Sequence, residues 1–142
     1  MAKKSCGCIV MCDEKTLLVR TAYGKHWMWP KGRQHKGESE RECAMRETRE
    51  ETGLEKLVLI DGFSHEFAYT NKDVPRDSAG FGKKIVVYLA MTPELITPTF
   101  NSQEIAEAKW VPINKAVEVV TRESAKYAMD QAVKFMKRNY YG

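Results

Sequence analysis

Short runs of apolar and β-branched residues alternate with polar segments along the chain, as is typical of a protein rich in strands. The runs at 7–12 and 16–21 flank a polar turn and predict a β-hairpin. Pro and Gly within 27–32 exclude a helix there and predict a loop. Further strands are predicted at 57–60, 64–69, 85–91 and 108–111.

Three helices are predicted from capping residues and from the spacing of apolar positions. Ser39 begins the S-x-x-E pattern of a capping box and Gly53 suits the position after a helix, so a helix is predicted over Glu40–Thr52. A short helix is predicted at 114–120, and apolar residues at helical spacing predict another at 124–138. Strands interleaved with helices predict an α/β or α+β sandwich.

Length and composition narrow the class of protein. A chain of 142 residues suits a single domain over 1–142, and 43% hydrophobic with 30% charged residues indicates a soluble globular protein. No apolar run approaches the length of a membrane-spanning helix, and the N-terminus lacks the apolar stretch of a secretory signal, so a cytoplasmic location is expected. The net charge of +4 is too small to indicate nucleic-acid binding.

The cysteines fit a buried strand better than a disulfide or zinc site. Structural disulfides are not expected in a reducing cytoplasm. Cys6, Cys8 and Cys12 lie at even spacing on the first predicted strand, which favours small side chains on one buried face. No paired C-x-x-C motif completes a zinc pattern, and a metal site or regulatory thiol among these three remains the alternative.

The segment 38–51 holds six glutamates despite the positive net charge. On a helix, Glu47, Glu50 and Glu51 stand at i, i+3 and i+4, where like charges repel each other. Arg46 can pair with Glu50 one turn later, and the remaining negative charge predicts a hard divalent cation such as Mg²⁺. The alternative is a solvated charged face, but this helix has few apolar residues to pack, which favours a functional interpretation.

The stretch GRQHKGESERECAMRETREETGL, Gly32–Leu54, resembles the Nudix box, G-x5-E-x7-R-E-U-x-E-E-x-G-U, where U is a bulky aliphatic residue. The fixed positions are filled by Gly32, Glu38, Arg46, Glu47, Glu50, Glu51, Gly53 and Leu54. Only Thr48 departs from the pattern, at the first U position. The resemblance implies the α/β fold of this family, the Nudix α/β/α sandwich with a mixed β-sheet between helices.

The resemblance also implies a chemistry, the attack of water on a phosphorus of a nucleoside diphosphate linked to another group. Metal ions and cationic side chains carry most of the catalysis in such reactions. By the match to the box, Glu47, Glu50 and Glu51 are expected to hold Mg²⁺, with Mn²⁺ as an alternative metal, and Arg46 to orient them. Glu38 is expected to reach a second metal ion through water.

Four stretches outside the box are similar to the asymmetric bis(5′-nucleosyl)-tetraphosphatases, the diadenosine tetraphosphate hydrolases of the family. They are WMWPKG at 27–32, GFSHEFAY ending at Tyr69, KKIVVYLA at 83–90 and NSQEIAEAKWV at 101–111. This likeness implies Mg²⁺-dependent hydrolysis of diadenosine tetraphosphate to ATP and AMP.

The same likeness suggests substrate-binding residues. Lys31, beside the box, is expected to neutralise a phosphate, and Tyr69 with Lys83 or Lys84 matches positions that contact the polyphosphate or a nucleoside. Trp27 offers an aromatic surface for adenine. The alternatives are a solvated surface lysine and aromatic side chains packed in the core.

Glu104 falls where the subfamily places a glutamate after a Ser, and it is expected to act as an additional metal ligand or a general base. The subfamily usually has histidines on both sides of that glutamate, whereas this chain has Gln103 and Ile105. Glu107 is the competing candidate in the same segment.

Other substrates and a non-catalytic role stay open at this point. An RNA 5′ pyrophosphohydrolase, a nucleoside triphosphate pyrophosphatase of the oxidised dGTP type and a diphosphoinositol polyphosphate phosphohydrolase share this box, so an RNA 5′ end is an alternative partner. The non-enzyme alternative is a nucleotide-sensing Nudix binding module, which the intact box glutamates disfavour. No membrane or obligate protein partner is expected.

Overall fold

The computed structural model describes residues 4–22, 26–68, 84–99 and 104–141. The strands are β1 Lys4–Cys12, β2 Lys15–Thr21, β3 Trp27–Met28, β4 Lys31–Arg33, β5 Val58–Ala68, β6 Lys84–Met91 and β7 Ile105–Pro112. The helices are α1 Glu40–Thr52, α2 Ile113–Val119 and α3 Glu123–Asn139. Helices in the described part of the chain are too short or too polar to cross a membrane.

The seven strands form one mixed sheet around β1. The main order is β3-β2-β1-β6-β5, while β4 also pairs with β1 and β7 with β2. Strands β1 and β6 run parallel over Lys4↔Lys84 to Met11↔Met91, and the other pairs are antiparallel. The predicted hairpin is confirmed, because β1 turns directly into β2 and pairs with it at Met11↔Thr16.

Two apolar clusters pack the helices against the sheet. The larger cluster joins strand residues such as Ile9 and Leu89 to α2 and α3, and it includes Met129. The smaller cluster joins Cys8 and neighbouring strand residues to Ala44 of α1. A mixed sheet between helices confirms the predicted α/β/α sandwich.

Two of the predicted boundaries were wrong. The strands predicted at 57–60 and 64–69 are one strand, β5, whose register against β6 shifts between Ile60 and Ser64. Gly62 lies in this irregular stretch with φ +98°, a left-handed conformation that glycine adopts without steric cost. The loop predicted at 27–32 contains the short strand β3 and the start of β4, with Trp29 and Pro30 between them.

The cysteines behave as small buried side chains. Cys6, Cys8, Cys12 and Cys43 are all buried free thiols. Burial raises the pKa of the Cys8 thiol to about 11, which keeps it protonated and poorly nucleophilic at neutral pH. The strand-face prediction for Cys6, Cys8 and Cys12 is therefore confirmed as to burial.

Candidate active site

Helix α1 begins and ends where its capping residues predict. The Ser39 side chain accepts a hydrogen bond from the Glu42 backbone N–H at 3.1 Å, and the Glu42 carboxylate accepts one from the Ser39 N–H at 2.9 Å. At the other end, Gly53 has φ +75° and donates its N–H to the carbonyl of Arg49 at 2.8 Å. The predicted helix over Glu40–Thr52 is confirmed, and its caps fix the register of the acidic residues.

The buried face of α1 is made of small and polar side chains. They are Cys43, Ala44, Thr48, Glu51 and Thr52. The hydroxyl of Thr48 donates to the carbonyl of Ala44 at 2.7 Å, and that of Thr52 donates to the carbonyl of Thr48 at 2.6 Å. Because each hydroxyl is satisfied within the helix, α1 packs closely on β1 and β4 without an apolar stripe.

Arg46 organises the carboxylates on the outer side of α1. Its Nε and Nη2 donate to the two oxygens of Glu38 at 2.6 and 2.9 Å, a bidentate pair. Its Nη1 donates to Glu47 at 2.8 Å and to Glu50 at 3.2 Å, so the predicted Arg46–Glu50 pair is confirmed. The Arg46 guanidinium, followed by the backbone N–H of His35, lowers the pKa of Glu38 to about 2.

A pocket of about 490 Å³ opens beside the inner end of this network. It is lined by Val19, Thr21, Met28, Trp29, Lys31, Gly32, Arg33, Glu47, Glu51, Glu104 and Ile105. Glu47 and Glu51 come from α1, Lys31 comes from β4, and Glu104 directly precedes β7. The pocket thus brings together three carboxylates and one lysine from separate parts of the chain.

Glu51 is the most buried of these carboxylates, with 7% of the residue exposed. It accepts a hydrogen bond from the backbone N–H of Lys31 at 3.2 Å. Burial raises the pKa of Glu51 to about 7. The backbone N–H and the charge of Lys31 lower this pKa, whereas the charges of Glu47 and Glu104 raise it. Burial in turn lowers the pKa of Lys31, while Glu51 opposes that shift. The site concentrates negative charge that a cation would stabilise.

Gly32 makes room for one of the carboxylates. A Cβ atom at this position would overlap the carboxyl group of Glu47, so the end of that side chain would have to move. The fixed glycine at the start of the box therefore has a steric role, which is to let the Glu47 carboxylate lie directly against β4.

The backbone of Glu104 is held at the end of β2. Its carbonyl accepts a hydrogen bond from the Ala22 N–H at 2.8 Å, at the end of β2. Earlier in the same connection, the Thr99 N–H donates to the carbonyl of Thr52 at 2.8 Å, at the end of α1. Glu107, the competing candidate, instead pairs with Arg20 at 3.4 Å.

The donor set suits a hard divalent cation. Over the described ranges, no three acidic, histidine or cysteine side chains are gathered closely enough to hold a metal ion. Arg46 holds Glu47 and Glu50, and the Glu50 side chain is 59% exposed. Nevertheless, Glu47, Glu51 and Glu104 line one pocket and offer only carboxylate oxygens, the ligands that Mg²⁺ prefers. The chemistry of these donors therefore suits a divalent cation such as Mg²⁺, although in this structure the side chains are not gathered around one point.

Other predicted site residues lie elsewhere. The Trp27 ring is covered on one face by Lys109, whose Nζ lies 4.3 Å from the ring centroid, while Met28 and Trp29 line the pocket. Lys84 is exposed at the start of β6. Tyr69 and Lys83 lie outside the described residues.

Sequence reasoning missed two residues in the pocket wall, Val19 and Thr21. They lie at alternate positions of β2 and therefore point to the same side of the strand. The period of two is visible in the sequence, but only the pairing of β2 with β3 and β7 brings that side to the carboxylates.

Comparison with known proteins agrees with this fold. The NUDIX domain family model matches residues 1–133. The chain is 30% identical over 149 aligned positions to the asymmetrical bis(5′-nucleosyl)-tetraphosphatase of Mus musculus, covering 96% of this chain and 97% of that one. It is 27% identical over 107 positions to mRNA-decapping enzyme subunit 2 of Arabidopsis thaliana, covering 73% of this chain and 26% of that one.

The fold comparison gives a similar result. A crystal structure of the C. elegans Ap4A hydrolase in a binary complex superimposes with a TM-score of 0.83 at 22% identity, covering 96% of this chain and 99% of that one. At this identity the structural likeness supports the fold alone. The family is shown by the family model and the mouse relative, whose matches cover nearly the whole sequence. The chain therefore belongs to the Nudix family, as a pyrophosphohydrolase.

Proposed function

We propose that this protein is a Mg²⁺-dependent hydrolase that splits diadenosine tetraphosphate into ATP and AMP. The observation that carries the proposal is the pocket in which Glu47, Glu51 and Glu104 meet Lys31. The mouse relative, an asymmetrical bis(5′-nucleosyl)-tetraphosphatase similar over 96% of this chain, supports the choice of substrate.

The box glutamates would hold the cation. Glu47, Glu50 and Glu51 are assigned to the first metal ion and Glu38 to a second one through water. When bound, Mg²⁺ neutralises phosphate oxygens and lowers the pKa of water. Arg46 keeps Glu38, Glu47 and Glu50 in position through the four hydrogen bonds that it donates to them.

The chain's own residues then bind the substrate and move a proton. Lys31 binds a phosphate at the pocket floor, and Glu104 accepts the proton from the attacking water. The water oxygen forms a bond to phosphorus, and the bond from that phosphorus to the bridging oxygen breaks, which leaves ATP and AMP. Trp27, Tyr69 and Lys83 or Lys84 are assigned to the nucleosides and the outer phosphates.

The experiment is a hydrolysis assay on diadenosine tetraphosphate, with products separated by chromatography. Equal amounts of ATP and AMP, formed only when Mg²⁺ or Mn²⁺ is present, are expected. The matched protein control is Glu107→Gln, which removes a nearby glutamate that pairs with Arg20 outside the pocket wall. Two molecules of ADP, or equal turnover in EDTA, would contradict the proposal.

An RNA 5′ end is the second candidate substrate. The observation that favours it is the 27% identity to the Arabidopsis decapping subunit over an alignment that covers 73% of this chain. Triphosphorylated RNA and oxidised dGTP belong in the same assay as competing substrates. Faster release of pyrophosphate from the RNA than of ATP from the dinucleotide would favour this second function.

A further inference from the structure

Thr121 fastens the short edge strand β3 to the start of α3. Strand β3 has two residues and, in the described part of the chain, pairs only with β2. The Thr121 hydroxyl accepts a hydrogen bond from the Trp27 N–H at 3.2 Å, and the Thr121 N–H donates to the Trp27 carbonyl at 3.3 Å. One residue, 94 positions away along the chain, therefore binds both backbone groups of Trp27 at the edge of the sheet.

The same hydroxyl also reaches the chain that joins β2 to β3. It lies 3.2 Å from Nδ1 of His26. The His26 carbonyl accepts a hydrogen bond from the Thr21 N–H at 2.9 Å, and the His26 N–H donates to the Thr21 hydroxyl at 3.3 Å. Because Thr21 lines the pocket, Thr121 is connected to the pocket wall through both of these strands.

Strand β3 leads into the apolar part of the pocket wall. Met28, the last residue of β3, and Trp29, which follows it, are buried and line the pocket. Met28 pairs with Val19 of β2, another apolar residue of the wall. A strand of two residues has few hydrogen bonds of its own, so the position of Met28 and Trp29 depends on what holds Trp27.

The charged residues of the pocket have separate supports. Lys31 lies on β4, which pairs with β1, and its N–H donates to the Glu51 carboxylate at 3.2 Å. The Pro30 carbonyl accepts a hydrogen bond from the Cys8 N–H at 3.3 Å. Glu51 itself belongs to α1. Loss of the Thr121 hydroxyl should therefore displace the apolar wall while Lys31 and the carboxylates of α1 stay in place.

We propose that Thr121 is a positioning residue that sets how the pocket accepts the nucleoside part of its substrate. It holds Met28 and Trp29 where a nucleoside packs against them, and it does not touch the substrate itself. This inference rests on the proposed function for the identity of the nucleotide. Apolar and aromatic side chains suit the flat face of a base, whereas the phosphates require the lysine and the cation.

The test compares KM for diadenosine tetraphosphate with the Kd for inorganic tripolyphosphate, which has no nucleoside, both in Mg²⁺ buffer. Thr121→Val replaces the hydroxyl by a methyl group of similar size, so the Trp27 N–H loses its partner. Thr121→Ser keeps the hydroxyl. The matched control is Thr97→Val, the same change at another exposed threonine, whose hydroxyl makes no hydrogen bond within the described ranges.

We expect Thr121→Val to raise KM about threefold to tenfold, while kcat and the Kd for tripolyphosphate change less than about twofold. Thr121→Ser should have a KM near that of the wild type, and Thr97→Val should change none of the three quantities. If Thr121→Val melts below the assay temperature, Thr121→Ala removes the same hydroxyl and takes its place.

Three results would overturn the inference. The first is an unchanged KM in the folded variant that lacks the hydroxyl. The second is a raised KM in Thr121→Ser, which would mean that the hydroxyl is not the group that matters. The third is an equal rise of KM and of the Kd for tripolyphosphate, because Thr121 would then support the whole pocket rather than its apolar wall.

This inference and the proposed function fail in different ways. If the wild type prefers triphosphorylated RNA, the comparison is made with that RNA as the substrate. A raised KM for RNA at unchanged tripolyphosphate binding would then retain the role of Thr121, and only the substrate assignment would fail. If the dinucleotide is hydrolysed to ATP and AMP but Thr121→Val keeps its KM, only the role of Thr121 fails.

Discussion

Helices α1 and α3 cover the sheet with different kinds of side chain. The buried residues of α3 are Ala125, Ala128, Met129, Ala132, Val133 and Met136, all apolar. Those of α1 are Cys43, Ala44, Thr48, Glu51 and Thr52, which are small or polar and include a carboxylate. Helix α3 is held chiefly by burial of apolar surface, and helix α1 by caps, internal hydrogen bonds and ion pairs.

The two helices therefore have different roles, since α3 mainly adds stability and α1 mainly positions charged groups. Apolar burial contributes most of the free energy of folding, so α3 is expected to hold the sandwich together. Hydrogen bonds and partly exposed ion pairs add little net stability, but they fix where atoms lie. Helix α1 therefore positions Glu47 and Glu51 at the pocket, and the burial of Glu51 costs stability that apolar burial elsewhere in the fold offsets.

The sharpest test of this contrast removes one charge from α1. Glu51→Gln is expected to lower kcat/KM about a thousandfold, because a carboxylate assigned to the metal ion is lost, while the melting temperature stays the same or rises. Steady-state kinetics and thermal unfolding measure the two effects. Glu107→Gln is the control and should leave both near wild type. Full activity in Glu51→Gln would contradict the metal assignment.

The converse change removes apolar volume from α3. Met129→Ala should lower the free energy of unfolding by about 2 to 5 kcal/mol, because Met129 is fully buried in the larger core cluster. Denaturant unfolding measures the loss, and kinetics below the transition should show kcat/KM within about twofold of wild type. A large loss of activity in the folded protein would show that α3 also shapes the reacting groups.

A third change tests the close approach of β4 to α1. In Gly32→Ala, the added methyl group would displace the Glu47 carboxylate, so activity should fall about tenfold to a hundredfold. Stability should change little, since Glu47 retains its charge and Arg46 lies beside it. The kinetics of Gly37→Ala serve for comparison, because nothing lies near the added Cβ; its φ of +82° strains any side chain, so that variant should lose stability rather than activity. Equal rates in the two variants would argue against the steric role of Gly32.

The smallest expected effect is a pH dependence of stability in the metal-free protein. The folded pKa of Glu51, about 7, lies above its ordinary value of 4.5, so the folded state binds the proton more tightly. The resulting stability is present below about pH 4.5 and is lost as pH rises through 7. Melting temperatures in EDTA should therefore fall by a few degrees between pH 5 and pH 8.

Glu51→Gln should flatten this decline, since glutamine does not titrate. Glu38 acts in a separate window, because its pKa is lowered to about 2 and its contribution is lost only as pH falls through the acidic range. A decline between pH 5 and pH 8 that is equally steep in wild type and Glu51→Gln would mean that another group is responsible.

Local features of the sequence were enough to place α1 and its acidic residues. Ser39 and Gly53 predicted both ends of the helix because capping depends on neighbours only three or four residues away. The Arg46–Glu50 pair followed from the same helical spacing. The hairpin and an α/β or α+β sandwich were also predictable, since the order of apolar runs and turns is local information, whereas the α/β/α arrangement was implied by the resemblance of the box to the Nudix family.

The tertiary structure decided which of these residues share a pocket. Glu104 and Glu107 are three positions apart, and only the pairing of β7 with β2 places the first in the pocket and the second beside Arg20. Thr121 gave no signal in the sequence, because the Trp27 N–H that its hydroxyl binds lies about ninety positions away. Spacing along the chain fixes a helix and its charges, whereas long-range strand pairing fixes which distant charges meet.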